Sequence, residues 1–195
     1  MRSNTIVLAS ASPARKALLE ASGFDVITCP TGCDESHNLT RPDRVVYELA
    51  FRKLDAYMHS PSFKPDVPAL ACDTLLWFEG RLIGKARSEE EARAQLTALS
   101  GRTHSVYSGF ALYLPPHVHR GFESTAVTFK VITRKMLDEY IASGQWKGAA
   151  GSYRIGGDAD KFIEKTEGNT STVVGLPLEA ISDIIKGTAS QNFLR

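Results

Sequence analysis

Excess charge, paired cysteines and long apolar runs are all missing from this chain, and each lack removes a class of function. Lysine and arginine number 23 against 22 aspartates and glutamates, a formal net charge of +1. No broad field therefore gathers nucleic acid or an anionic membrane surface, and neither is expected as a partner. Any phosphate must be met by local clusters, which implies a small ligand. The three cysteines are an odd number without framework spacing, so reduced thiols in a cytoplasmic setting are expected. Cys29, Cys33 and His37 recur every four residues, yet no second pair and no Cys-x-x-Cys accompanies them, which argues against zinc. No apolar run approaches a membrane span. The apolar stretch near the N-terminus is too short for a secretory signal, and no cleavage pattern follows it. Internal repeats and low-complexity segments are absent as well. What remains is an ordinary globular composition, 43% hydrophobic and 23% charged over 195 residues, ample for one large domain or two small lobes.

The chain is organised around Ile6-Val7-Leu8-Ala9-Ser10-Ala11-Ser12-Pro13-Ala14-Arg15-Lys16-Ala17-Leu18-Leu19, which reads as strand, tight loop, helix. Ser12 suits the N-cap and Pro13 the first helical position, where a missing N–H costs nothing. Gly23 ends the helix. Arg15 and Lys16 are the anomaly, because a helix N-terminus already carries partial positive charge. Two readings stand side by side. Either the serine-rich loop, the helix start and the cations meet a bound anion, most simply a phosphate, or the helix is plainly capped and its basic side chains bend into water.

Farther along, Phe24 to Thr28 reads as a short strand and Cys29 to Leu39 as a polar loop. Its Asp34-Glu35 pair is either solvated charge or a source of a hard oxygen ligand for magnesium. Pro42 to Met58 is an amphipathic helix with Val45, Val46, Leu49, Ala50, Leu54 and Tyr57 on its buried stripe. Lys53 falls on that stripe, where it either snorkels or is held in a cleft to meet phosphate. A proline-bearing loop over 60–68 leads to Ala69–Phe78, a central strand interrupted by Asp73. A buried carboxylate without partners is costly, so Asp73 is expected in a polar cleft or paired. Gly84-Lys85 is followed by Ala86 and is no Walker A loop.

Ser88-Glu89-Glu90-Glu91 is a capping box opening a helix through Leu99. Thr103–Leu114 and Glu123–Val131 read as two long strands, the second with Thr125, Val127, Phe129 and Val131 on one face. Pro115, Pro116, His117 and His119 between them read as an exposed hairpin tip. A helix over Thr133–Ser143, a glycine-rich loop over Trp146–Gly157, a strand at Lys161–Lys165, a turn at Gly168–Ser171 and a last helix burying Leu178, Ile181, Ile184 and Ile185 complete the chain. Strands and helices interleave, which predicts an α/β domain.

Taken in order, these stretches resemble the Maf family, known from septum formation and as nucleoside triphosphate pyrophosphatases. The resemblance is carried by Leu8-Ala9-Ser10-Ala11-Ser12-Pro13-Ala14-Arg15, Asp34-Glu35, Leu49-Ala50-Phe51-Arg52-Lys53, Asp73-Thr74, Gly84-Lys85, Leu99-Ser100-Gly101-Arg102-Thr103-His104, Ala150-Gly151-Ser152-Tyr153 and Val174-Gly175-Leu176-Pro177-Leu178. Each match is short; their order over the whole chain is specific. The resemblance implies one domain over residues 1–195: a mixed central sheet flanked by helices, in two lobes around a deep cleft, similar to the inosine-triphosphatase-like architecture. It implies hydrolysis of a nucleoside triphosphate to the monophosphate and pyrophosphate with divalent magnesium or manganese, and a possible homodimer. In those terms Ser10, Ser12 and Arg15 hold phosphates, Lys53 and Lys85 neutralise charge on the phosphate oxygens, Glu35 binds the metal and Asp73 is the proton acceptor. Ala14, Thr74 and Gly156 fall at the positions that distinguish substrates. Thr74 resembles the branch acting on dTTP and UTP, whereas Ser-Pro-x-Arg-Lys-Ala-Leu-Leu and Ala-Gly-Ser-Tyr-Arg are more like the branch acting on 7-methyl-GTP. Ala14 and Gly156 match neither branch, so the base stays unassigned and looser selectivity is expected. The rival expectation is a nucleotide-binding regulator of septum formation with little turnover.

Overall fold

The computed structural model describes residues 4–191. Its strands are β1 (Thr5–Leu8), β2 (Asp25–Thr28), β3 (Ala69–Phe78), β4 (Arg81–Ile83), β5 (Thr103–Leu114), β6 (His117–Phe129) and β7 (Ile163–Glu167). Its helices are α1 (Pro13–Ala21), α2 (Pro42–Met58), α3 (Glu89–Leu99), α4 (Arg134–Ser143), α5 (Thr170–Val174) and α6 (Leu178–Gln191). The strands form a mixed sheet in the order β2-β1-β3-β5-β6-β7, with β4 on β3. Two compact units emerge, one of residues 1–73, 108–123 and 175–195, the other of residues 74–107 and 124–174. Among the described residues no helix is long and apolar enough to cross a membrane.

In the first unit, β1 pairs in parallel with β2 and β3, in the register Val7↔Ile27 and Leu8↔Leu70. Buried parallel strands need apolar residues on both faces, and here alternate residues sort into two cores. Ile6, Leu8, Leu70, Cys72, Phe110 and Leu112 face one way, against Leu19 of α1 and Ile181 of α6. Val7, Ala9, Ala69, Ala71, Ala111 and Tyr113 face the other, against Ala50, Leu54 and Tyr57 of α2. Helix α2 lies so close to β5 that a Cβ on Gly109 would strike the Val46 carbonyl.

In the second unit, α3 and α4 join Leu76, Phe78, Val106, Val127, Phe129 and Phe162 in one core. Ser88 caps α3 by accepting from the Glu91 N–H at 3.2 Å. The Glu91 carboxylate, however, accepts from Arg87 N–H at 2.8 Å, one residue before the position a reciprocal box requires.

Four expectations need correction. Strand β6 begins at His117, so His117 and His119 lie within a strand; only Pro115-Pro116 is left to turn. At its other end β6 stops at Phe129, and Val131 is 74% exposed. A 3-10 turn occupies Asp158–Phe162, delaying the strand expected from Lys161 until Ile163. The expected turn at Gly168–Ser171 runs into α5, whose start is tied down where Thr125 Oγ1 donates to Asn169 O at 2.9 Å.

Candidate active site

Asp73 sits on β3 directly after Ala71 and Cys72, both fully buried. Lys53 comes from the fourth turn of α2. Its Nζ donates to Asp73 Oδ1 at 2.5 Å and lies 3.0 Å from Glu35 Oε1. The Lys53 and Asp73 side chains are 16% and 12% exposed, whereas Glu35 is 60% exposed. The pair is thus sheltered and the third member reaches in from a solvated loop. Burial pulls the Lys53 ammonium down, but Asp73 and Glu35 together pull it up further, so its pKa lies above the ordinary lysine value. Lys53 stays charged at neutral pH.

Arg15 does not bend into water. Its Nε donates to the Gly175 carbonyl at 2.8 Å, and its Nη1 donates to Ser10 Oγ at 3.0 Å and to the Cys72 carbonyl at 2.9 Å. The guanidinium is therefore fixed against the residue preceding Asp73. Ser12 is the cap of α1, accepting from Arg15 N–H at 3.4 Å, and its own N–H donates to Ser10 Oγ at 3.2 Å. Lys16 takes the course of an ordinary surface residue, 43% exposed and 3.5 Å from Glu20. The first unit thus gathers Ser10, Ser12, Arg15, Glu35, Lys53 and Asp73, with Ala14 exposed on the first turn of α1.

Arg52, next to Lys53, was not singled out in the sequence as a site residue. Its Nη1 donates to Asp34 O at 3.3 Å and to Ser36 O at 2.8 Å, so it brackets Glu35 from both sides. Nothing in a run of loop carbonyls signals such a role beforehand. Cys33 also lies in the field of Lys53 and Glu35, yet burial pushes its thiol above the ordinary value. Burial raises Cys72 to about 11, so neither sulfur is a ready nucleophile.

Could these residues hold a metal? Glu35 and Asp73 both turn a carboxylate oxygen to one cationic point, the Lys53 ammonium. Two carboxylates are what magnesium ordinarily takes from a protein, with water and substrate phosphates completing its shell. Among the described residues no group of three potential ligands exists, so the donor set fits a cation shared with a phosphate and not a closed protein cage.

Lys85, Thr74 and Gly156 belong to the second unit. The Lys85 side chain is exposed while its backbone is firmly held. Lys85 bridges Ala150, and the Gly84 carbonyl accepts from Gly151 N–H at 3.1 Å and from Gln95 Nε2 at 3.4 Å. Gln95 Oε1 accepts from Ser152 Oγ at 2.7 Å. Ser152 is fully buried with φ +62°, a backbone conformation uncommon outside glycine. His104 Nε2 meets the Tyr153 hydroxyl at 2.7 Å. Burial lowers the His104 pKa to about 4, so it is neutral at physiological pH. Gly156 has φ +87° and open space about it.

Comparison with known proteins gives one consistent result. A family model described as Maf-like protein matches residues 5–188. A dTTP/UTP pyrophosphatase of Pyrococcus abyssi is 37% identical over 93% of this chain and 95% of its own. One of Agrobacterium fabrum is 38% identical over 93% and 91%, and one of Desulfitobacterium hafniense 40% identical over 91% and 82%.

Proposed function

The chain belongs to the Maf family, and on that premise we propose that it hydrolyses a nucleoside triphosphate to the monophosphate and pyrophosphate. The observation that carries the reading is the Glu35–Lys53–Asp73 cluster beside an arginine anchored at Cys72. Binding residues alone would explain the cations. A sheltered carboxylate beside them supplies what hydrolysis adds, a proton acceptor.

In this reading Ser10, Ser12 and Arg15 receive phosphate oxygens at the start of α1, where backbone N–H groups and the helix dipole assist. Lys53 and Lys85 offset the charge that builds as the phosphoryl group transfers. Asp73 takes the proton of the water that attacks the α-phosphorus; the bond to the bridging oxygen breaks, and pyrophosphate leaves with that electron pair. Lys53 turns from Asp73 to the phosphate as substrate enters, which frees the Asp73 carboxylate to meet the water. Glu35, with Asp73, is the candidate holder of divalent magnesium or manganese, which when bound supplies further positive charge to the phosphate oxygens.

The names of the relatives and Thr74 both favour dTTP and UTP as first substrates. Ala14 and Gly156 offer no polar group to read a base, so discrimination is expected to be loose. The test is pyrophosphate release with magnesium from dTTP, UTP, CTP, GTP and 7-methyl-GTP, by the wild-type chain and by Asp73→Asn. The wild type should release pyrophosphate, with kcat lowered in the variant by about 10²–10⁴-fold. Equal release by both would remove Asp73 from the chemistry. A strong preference for one nucleotide would defeat the looseness.

A further inference from the structure

A second cationic site lies in the first unit, beside Arg52 and the end of the loop that carries Glu35. It is a groove of about 680 Å³ lined chiefly by His37, Arg44, Tyr47, Glu48, Arg52 and Arg120. Arg120, from β6, is sandwiched with its guanidinium carbon 4.1 Å from the Tyr47 ring centre and 3.9 Å from that of Phe51. Glu48 holds two of the arginines, Arg52 Nε at 3.0 Å and Arg120 Nη2 at 3.3 Å. Two guanidiniums therefore share one carboxylate, while Arg44 lies 4.0 Å from Asp43, which Arg41 already holds at 2.7 Å. Two polar atoms at the groove, Arg120 Nε and His37 Nδ1, are buried with no hydrogen-bond partner.

Buried groups of this kind are rarely left unsatisfied, because each has given up its hydration with nothing in return. A water would complete the hydrogen bonds but would leave the surplus positive charge in place. An oxyanion answers both. Guanidiniums present fixed, planar donors that suit phosphate oxygens, and the aromatic sandwich holds Arg120 ready without needing the ligand. We propose that this groove binds a phosphate-type oxyanion at a site separate from the Arg15–Lys53–Asp73 cluster. Through Arg52, which also grips the carbonyls on either side of Glu35, an occupant would be felt at that loop. The proposal does not depend on the hydrolysis proposed above.

The test is a titration of the full ¹⁵N-labelled chain with sodium pyrophosphate, without divalent metal and against sodium chloride at equal ionic strength. Amide signals of His37, Asn38 and Tyr47 should shift and saturate, and should still do so in Arg15→Gln, which weakens the other cluster. Arg44→Gln and Arg120→Gln should each weaken the binding about tenfold or more. Arg44 is 65% exposed, so its variant keeps the fold even if Arg120→Gln does not. Three results would overturn the site: no saturable shift up to about 10 mM, where a millimolar site fills; the same shifts with chloride alone; or wild-type affinity in Arg44→Gln. Loss of nucleotide hydrolysis with these shifts intact would count only against the proposed reaction.

Discussion

Lys53 and Glu35 touch each other and yet answer to different tests. Lys53 compensates a carboxylate with a side chain only 12% exposed, whereas Glu35 stands 60% exposed. Removing one partner of a sheltered pair leaves an uncompensated charge, so Lys53→Met should lower stability by roughly 3–5 kcal/mol. Glu35→Gln should cost at most about 1 kcal/mol while lowering turnover of a nucleotide. Urea unfolding of both variants beside the turnover assay checks the pair; equal destabilisation would contradict it. His104 gives a pH signature. Its folded pKa of about 4 lies below the ordinary 6.5, so between those values the unfolded chain binds a proton that the folded chain refuses. Stability should therefore be full above pH 6.5 and fall toward pH 4, by on the order of 3 kcal/mol from this group. Denaturant melts across that window should show a shallower slope in His104→Gln. A residue-level reading of the sequence foresaw that Asp73 needed a polar cleft or a partner, since the other nine residues of its strand leave it little else. It left Arg15 undecided between anion and water, because its anchors are backbone carbonyls of Cys72 and Gly175, and a carbonyl has no signature in a sequence.

Whole elements were more legible where one physical signal governed them. Helix α2 has the bounds its apolar period and Pro42 predict, and α3 those of Ser88 and Gly101. Strand β6 was misjudged at both ends because pairing with a neighbour, not local composition, sets where a strand begins and stops. Prolines marked the turn, and the histidines beyond them were drawn into the ladder. The short α5 was missed since five residues of Thr, Ser and Val have little helical preference of their own. Glycine in β5 marks another distant constraint. Because the Val46 carbonyl fills the space beside Gly109, Gly109→Ala should push α2 off the sheet. A loss of about 1–3 kcal/mol is expected in denaturant unfolding, against little change for Gly32→Ala, which faces open space without a positive φ. Such a loss at Gly109 alone would locate the closest helix-to-strand approach in the first unit.

At the scale of the molecule, binding should feed back on folding. A ligand that favours the native chain stabilises it by mass action, about 2.7 kcal/mol at a hundred times its dissociation constant. On the proposed mechanism Asp73→Asn consumes its ligand only slowly, so it should melt higher with dTTP than without it, and Arg15→Gln should lose most of that rise; scanning calorimetry checks both. The α/β class and the order of the longer elements were visible in the alternation of periods, and the family in the sequence of motifs; the short β4 and α5 were not. How the chain is divided was not visible, because a boundary at Asp73–Thr74 falls inside one unbroken strand. The backbone passes from one unit to the other at 73–74, 107–108, 123–124 and 174–175, so neither is a contiguous run of codons. Truncating the gene at any single point leaves at least one of them with pieces missing. Protease nicking followed by fragment complementation, and not excision of a minimal domain, is consequently the route by which halves of this protein would be separated and rejoined.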